Sequence, residues 1–219
     1  MYGRFAVRDY LLALGAKDER DIIPPDFAKA HRILIQAVTG ERGPLGDWQR
    51  QVDSDPAVTI HYILANEKFN VATLFTTGMS DKNLPKGRYR FTQHELRLML
   101  PADWPVGGDD PQTNWPVAWL ERITRKLLAG DRWPDEPILF MHDGPLAEGT
   151  ELCGWIGLPS FAEVTELQDS RIANITAFFP IYAEEAEFAR EQGNNALLER
   201  FQEHDVPLHV DPQRRNVAW

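Results

Sequence analysis

The sequence predicts an α+β fold in which a central mixed or antiparallel sheet is covered by helices. Strand-like segments come in groups, with helices inserted at irregular intervals, whereas a doubly wound sheet would alternate the two regularly. Several segments alternate apolar and polar residues with period two, and others carry the three-to-four-residue spacing of amphipathic helices. The length of 219 residues suits one large domain or a tightly joined pair.

The N-terminal part of the chain divides into a helix and a loop. Apolar residues at helical spacing predict a helix over residues 27–38. Residues 41–56 are rich in Gly, Pro and Asp and predict a loop. We therefore expect an N-terminal helical segment over residues 1–50, packed on an α+β domain over residues 51–219 to form one compact unit.

The middle of the chain predicts the centre of the sheet. Residues 58–64 alternate apolar and polar side chains, and residues 71–77 are a second strand-like segment. The turn at residues 66–68 joins them into a hairpin. A further strand over residues 96–100 should bury Leu98 in the core.

The C-terminal half predicts one long helix, three strands and two short helices. Pro116 suits the first turn of the long helix. The predicted bounds are a helix over 117–128, strands over 138–142, 152–159 and 172–179, and helices over 183–192 and 196–202.

The net charge of −10 is concentrated in one third of the chain. Residues 144–205 hold twelve acidic and three basic side chains, a net charge of −9. Such a field repels nucleic acid phosphates and attracts basic partners. The basic stripe of a nucleic-acid-binding protein is absent, so we expect no nucleic acid partner. A solvated acidic face that aids solubility remains the alternative.

The composition also indicates in which cellular compartment the protein is expected. The single cysteine, Cys153, cannot form an internal disulfide, which fits a reducing cytoplasm. No apolar run reaches the roughly 20 residues that span a bilayer. We expect a cytoplasmic protein with no membrane association and no cofactor, and we favour a monomer.

Candidate catalytic and metal-binding patterns are incomplete. Ser80 follows a glycine as in a nucleophile elbow, but Lys82 stands where that motif needs a second glycine. None of the six histidines has a partner at metal-ligand spacing. We therefore predict neither a catalytic centre nor a metal site. Cys153 has no basic neighbour in sequence to activate it, which favours a small buried apolar role.

A carboxylate cluster lies at Glu184, Glu185 and Glu187. The three acids occupy the first turn of a predicted helix, where the macrodipole stabilises negative charge. Glycoside hydrolysis would need a second carboxylate across a cleft. We expect the three side chains to project together and to contact a partner protein.

Several short motifs occur in a fixed order along the chain and together resemble the suppressor of fused family. The resemblance covers roughly residues 55–219. The motif residues are Gly78-Met79-Ser80-Asp81, Glu95-Leu96, Trp104, Asn114-Trp115-Pro116, Ile181-Tyr182 followed by Glu184-Glu185, and Asp211-Pro212-Gln213-Arg214-Arg215.

The resemblance implies a protein-binding module without enzymatic activity. Stand-alone family members of bacteria are associated with polymorphic toxin systems as immunity proteins, and a basic toxin would fit the acidic bias. The alternatives are a peptide-binding scaffold that works by strand addition, and a small hydrolase with a pocket lined by His61, His94 or His142.

The contact candidates follow from charge and exposure. Basic residues often protect exposed strand edges, so the polar connection over residues 81–91 is predicted to border an accessible edge or groove. Tryptophans 104, 115, 119 and 133 should pack the core, whereas Trp48 and Trp219 should be exposed. The candidates for partner contact are Glu184, Glu185, Glu187, Lys82, Lys86, Arg88, Arg90 and Trp48.

Overall fold

The computed structural model describes residues 32, 34–36, 39, 43–85, 93–166 and 172–219, excluding the side chains of residues 159–166 and 172. The described residues form one seven-stranded sheet, three helices described over their full length, a 3-10 turn, and part of a further helix at residues 32, 34–36 and 39. The strands are β1 Leu45–Val52, β2 Val58–Ile63, β3 Val71–Thr77, β4 Gln93–Pro101, β5 Ile138–Met141, β6 Gly154–Glu166 and β7 Ile172–Ile181. The helices are α1 Pro111–Leu128, α2 Ala183–Gln192 and α3 Asn194–Glu203, and the 3-10 turn spans Met79–Asp81.

The sheet is mixed, which is one of the two arrangements that the sequence predicts. Its strand order is β1-β2-β3-β4-β7-β6-β5, and every neighbouring pair is antiparallel except β4 with β7. Between these two parallel strands the chain forms α1, β5 and β6. The predicted α+β class and the hairpin of β2 and β3 are both confirmed.

Helices pack on both faces of the sheet. Neighbouring residues of a strand point to opposite faces, and Phe178 and Phe179 of β7 belong to two different core clusters. Phe178 shares its cluster with Leu120 of α1, whereas Phe179 shares its cluster with Ala186 of α2 and Leu197 of α3. The acidic C-terminal helices therefore lie on the face opposite α1.

The long helix α1 begins six residues before the predicted start. Pro111 occupies its first turn, and the Asp110 side chain caps it by accepting a hydrogen bond from the Gln112 backbone N–H at 3.0 Å. Pro116 therefore lies inside the helix rather than in its first turn. The predicted helix start was placed where the apolar pattern begins, and the capping residues that precede this pattern were not recognised.

The loop prediction for residues 41–56 is wrong because β1 occupies Leu45–Val52 and pairs with β2. This strand crosses residue 50, where the sequence placed the domain boundary. Only Val52 of the strand is buried, so the hydrophobic alternation that reveals a strand is weak there. Within the predicted helix 27–38, residues 32 and 34–36 are helical.

Leu34 connects this N-terminal region to the sheet. It is fully buried in a small cluster with Ile63, Phe75, Ala173 and Ile175. Most of residues 1–42 lie outside the described residues, so the helical N-terminal segment as a whole stays a prediction.

Leu98 is fully buried in the core beneath α1, as predicted. Replacing it with alanine should lower the free energy of unfolding by about 3 kcal/mol, because close-packed surroundings relax only partly into the cavity. Urea unfolding followed by tryptophan fluorescence measures this change. The exposed Leu208→Ala is the matched control, with an expected change within about 0.5 kcal/mol. Equal stability of the two variants would contradict the packing of β4.

Candidate functional site

The Gly78-Met79-Ser80-Asp81 motif is a tight turn held by the side chain of Glu95. Gly78 has φ +101°, and a Cβ there would lie 2.3 Å from the Ala57 carbonyl oxygen, so only glycine fits. The Glu95 carboxylate accepts hydrogen bonds from the backbone N–H groups of Gly78 and Ser80, both at 3.0 Å. Its other oxygen accepts from the Thr76 hydroxyl at 2.6 Å. The two sequence motifs thus form one structural unit.

The turn gives Ser80 no access to a substrate. Ser80 is 1% exposed and Met79 is fully buried. A nucleophilic serine must reach its substrate from solvent, and this one lies in the wall of the core. The motif therefore serves the fold.

Lys82 stabilises the end of helix α1. Its ammonium group donates hydrogen bonds to the Leu128 carbonyl and, at 3.0 Å, to the Gly130 carbonyl. Basic groups at a helix C-terminus satisfy the unpaired carbonyls and interact favourably with the macrodipole. Lys82 thus caps the helix and is half-buried, and its assignment to partner contact stays a prediction. Lys86, Arg88 and Arg90 lie outside the described residues.

Among the residues that the structure describes, no free strand edge lies beside positions 81–91, of which 86–91 are outside the described ranges. This connection joins β3 to β4, and both strands are paired on both sides within the sheet. In the described part of the chain, the sheet ends at β1 and β5 instead. β4 lies inside the sheet because it pairs with β7, a strand some 80 residues later in the chain. The groove that was also predicted beside residues 81–91 stays a prediction.

The three clustered glutamates do not project together. Glu185 is fully buried and forms a salt bridge with the buried Arg214. Glu184 is half-buried and accepts a hydrogen bond from the Asn216 side chain at 2.8 Å, whereas Glu187 is exposed. The assignment of Glu185 to partner contact is therefore wrong, because this carboxylate is enclosed by the C-terminal tail.

Arg214 and Glu185 anchor the tail to helix α2. The guanidinium makes a two-pronged contact with the carboxylate, with one prong at 2.7 Å, and also donates to the Pro180 carbonyl at 2.8 Å. The carboxylate accepts from the backbone N–H groups of Tyr182 and Val217, both at 3.1 Å. Two motifs at distant positions in the sequence thus meet at one buried ion pair.

Tyr182 completes this contact. Its hydroxyl donates to the Arg214 carbonyl, and its ring lies 5.0 Å from the guanidinium carbon. Burial raises the pKa of Tyr182, so the hydroxyl keeps the proton that it donates. Tyr182 therefore has a structural role, as its place in the family motif suggests.

An exposed acidic surface remains on α2 and α3 once Glu185 is set aside. Glu184, Glu187 and Glu191 have the i, i+3, i+7 spacing that lines one helix face, where Glu187 and Glu191 are exposed and Glu184 is half-buried. Glu199 and Glu203 are exposed one turn apart on α3. We call these five residues the acidic surface. Because it faces solvent, it can attract a basic partner.

Trp48 is half-buried rather than exposed. It packs against the core on the α1 side, and a Cβ at Gly107 would come within 2.6 Å of its ring. Trp48 therefore holds β1 to the loop before α1, which weakens its case as a contact residue. Trp219 is 84% exposed, as predicted.

The other tryptophans line one side of the core. Trp115 is buried beside Trp155, with ring centroids 5.8 Å apart. Trp104 meets Trp115 edge-on at 6.1 Å, and its indole N–H donates to the Thr113 carbonyl. Trp133 is buried, as predicted, and Trp119 is partly buried against the same core.

A groove lies where α1 meets the connection between β5 and β6. It encloses about 430 Å³. Its walls are apolar and aromatic, and its charged side chains are acidic. The lining residues are Asp109, Pro111, Gln112, Asn114, Trp115, Ala118, Trp119, Leu146, Ala147 and Glu148. We call this feature the α1 groove.

The α1 groove has no recognisable signature in the sequence, because its two sides are more than 25 residues apart. The Trp119 indole N–H donates to the Leu146 carbonyl at 3.2 Å and joins the two sides. The one sequence signal of this groove is the pair Trp115 and Trp119, which lie one helical turn apart and follow the acidic Asp109 in the sequence.

His61, His94, His142 and the cysteine occupy structural positions. His94 stacks on Trp133 with ring centroids 3.7 Å apart, and the His61 ring lies 2.9 Å from the Thr77 hydroxyl. His142 meets Trp119 edge-on. Burial, reinforced by the charge of Glu184, raises the pKa of the half-buried Cys153 and keeps it as an unreactive thiol.

No histidine lines the α1 groove, so the hydrolase alternative gains no support from it. Within the described ranges, no three His, Cys, Asp or Glu side chains gather as metal ligands would. None of the described helices is long and apolar enough to span a bilayer.

Comparison with known proteins agrees with the motifs. The family model of the suppressor of fused protein (SUFU) matches residues 54–215. No curated protein sequence is significantly similar to the chain.

Solved structures show the same fold. A SUFU homologue of Neisseria gonorrhoeae superposes with a TM-score of 0.61 at 11% identity, over 88% of this chain and 98% of that one. The Sufu–Fu complex matches with a TM-score of 0.61 at 12% identity, over 89% of this chain and 93% of that one. Drosophila Suppressor of Fused matches with a TM-score of 0.58 at 14% identity, and 93% of this chain corresponds to 53% of that longer chain.

Proposed function

The chain belongs to the suppressor of fused family, and from this premise we propose that it is a non-catalytic protein-binding domain. One of its structural relatives, Sufu, has been crystallised in a complex with Fu. The buried motif residues support this role, because Ser80, Glu95 and Glu185 are all used to hold the fold together. The surfaces that remain for partner contact are the solvent-facing helices and the α1 groove.

More specifically, we propose that the protein is a bacterial immunity protein that acts in the cytoplasm on a basic toxin. The observation that carries it is the exposed acidic surface of α2 and α3. It lies within the segment that accounts for a net charge of −9. Complementary charge raises the rate at which two proteins meet more than it slows their separation. An inhibitor whose target damages its own cell needs such fast capture.

The test measures association with an inactivated toxin encoded beside the gene for this protein. In the triple variant Glu187→Gln, Glu191→Gln, Glu199→Gln, the association rate should fall about tenfold at low salt. Its salt dependence should also flatten, because screening already shortens the field to about 10 Å at 0.1 M. Stopped-flow fluorescence measures both quantities.

A matched control removes the same number of charges elsewhere. Asp53, Glu67 and Asp131 are exposed outside the acidic third, so their amide variants change net charge equally. This control should associate at nearly the wild-type rate. If the two triple variants behave alike, the acidity serves solubility. If the wild-type protein binds no neighbouring toxin, the immunity role is refuted.

A further inference from the structure

We propose that the α1 groove receives a lysine or arginine side chain from a segment of the partner protein. The inference rests on the proposed protein-binding function and specifies where that function contacts its partner. The groove is on the α1 side of the sheet, whereas the acidic surface is on α2 and α3. The two surfaces are therefore separate, and each can be altered alone.

The walls of the groove suit the aliphatic stem of a basic side chain. Trp119, Leu146 and Ala147 supply the apolar surface. Lysine and arginine stems bury well along apolar surface while their charged ends stay polar. The volume of about 430 Å³ falls in the range of sites that bind ligands specifically.

The charge of the groove selects a cation. Asp109 and Glu148 line it, and no lysine or arginine does. Asp110 caps α1 and thereby offsets the positive end of the helix dipole beside the groove. Among the described residues, Glu148 accepts one long hydrogen bond of 3.4 Å, from the Gln112 side chain. Both lining carboxylates can therefore turn to an incoming ammonium or guanidinium.

Trp119 gives the groove a fixed aromatic wall. One guanidinium, that of Arg122, already lies 4.7 Å from the centre of its ring. Arg122 does not line the groove. The indole is fixed by its hydrogen bond to the Leu146 carbonyl, so little side-chain entropy is lost when a ligand packs against it.

The first test selects random peptides on the immobilised wild-type protein and counter-selects on the variant Ala118→Arg. Ala118 is exposed and lines the groove, so arginine there fills the groove and adds a positive charge. Ala129→Arg adds the same side chain at the exposed C-terminal end of the same helix, outside the groove. Peptides enriched on wild type and on Ala129→Arg, but not on Ala118→Arg, should contain lysine or arginine.

The second test asks whether the basic side chain itself makes the contact. Replacing it in a selected peptide with norleucine or citrulline should weaken binding at least about tenfold. The double variant Asp109→Asn, Glu148→Gln should show a similar loss, whereas Asp53→Asn, Glu67→Gln should not. The indole N–H resonance of Trp119 should shift on titration with the peptide.

Several outcomes would overturn the proposal. It fails if no peptide distinguishes Ala118→Arg from Ala129→Arg, if the enriched peptides lack basic residues, or if norleucine is tolerated. A toxin that Ala118→Arg captures with wild-type affinity refutes the groove but leaves the immunity role standing. If the wild-type protein binds no toxin, the immunity role is refuted, and the peptide selection still tests whether the groove binds a basic side chain.

Discussion

Replacing Arg214 with methionine should lower the free energy of unfolding by about 3–5 kcal/mol. Methionine preserves much of the length and apolar packing of arginine but carries no charge. It would leave the carboxylate of Glu185, which is fully buried, without its cation. An uncompensated buried charge is among the few defects that cost this much in a single substitution. Denaturant unfolding at neutral pH measures the change.

A variant at the adjacent residue isolates the buried contact. Arg215 is exposed, so Arg215→Met removes the same charge from the same tail and should cost less than about 0.5 kcal/mol. The double variant Glu185→Leu, Arg214→Met should be more stable than the sum of its single changes predicts, because it removes both charges together. Recovery should be incomplete, since the backbone N–H groups of Tyr182 and Val217 would lose their acceptor. A neutral Arg214→Met would show that the tail does not need this ion pair.

Sequence reasoning predicted most elements of the sheet because their signals are local. The alternation in residues 58–64 and the apolar run at 172–179 correspond to β2 and β7. Helix α2 has the predicted bounds 183–192. Strand β1 was missed, since an edge strand buries little and needs little hydrophobic alternation.

The roles of charged residues could not be predicted, because each depends on a partner distant in sequence. Glu185 has the local pattern of an exposed acid in a first helical turn, yet Arg214, 29 residues later, encloses it. Lys82 has the pattern of a loop cation, but the end of α1 lies beside it, 46 residues later. The resemblance to the suppressor of fused family identifies Glu185 and Arg214 as motif residues, but it does not give the physical reason for them.

The α1 groove shows the same limit. Its helical wall is visible in the sequence as two tryptophans one turn apart, but its other wall comes from residues 146–148. The connection between β5 and β6, which contains these residues, reaches α1 only in the folded protein. A site formed between two elements in this way has no compact signature in a sequence.

Replacing Glu95 with alanine should lower the free energy of unfolding by about 4 kcal/mol. The substitution leaves three buried donors without this acceptor, namely the backbone N–H groups of Gly78 and Ser80 and the Thr76 hydroxyl. Each stranded donor costs about 1–3 kcal/mol, and some relaxation will offset part of the sum. Glu95 itself is fully buried, so water cannot replace the carboxylate without opening the structure.

Hydrogen exchange would separate this local effect from a general loss of stability. In Glu95→Ala the amide protons of Gly78 and Ser80 should exchange faster than the loss of global stability explains, because their acceptor is gone. Glu95→Gln keeps one carbonyl acceptor and should recover part of the stability, while the exposed Glu67→Ala should change little. If Glu95→Ala and Glu67→Ala have equal stability and equal exchange at the turn, the carboxylate does not hold it. The glutamate and the glycine-led turn would then be two independent features of the family pattern rather than one structural unit.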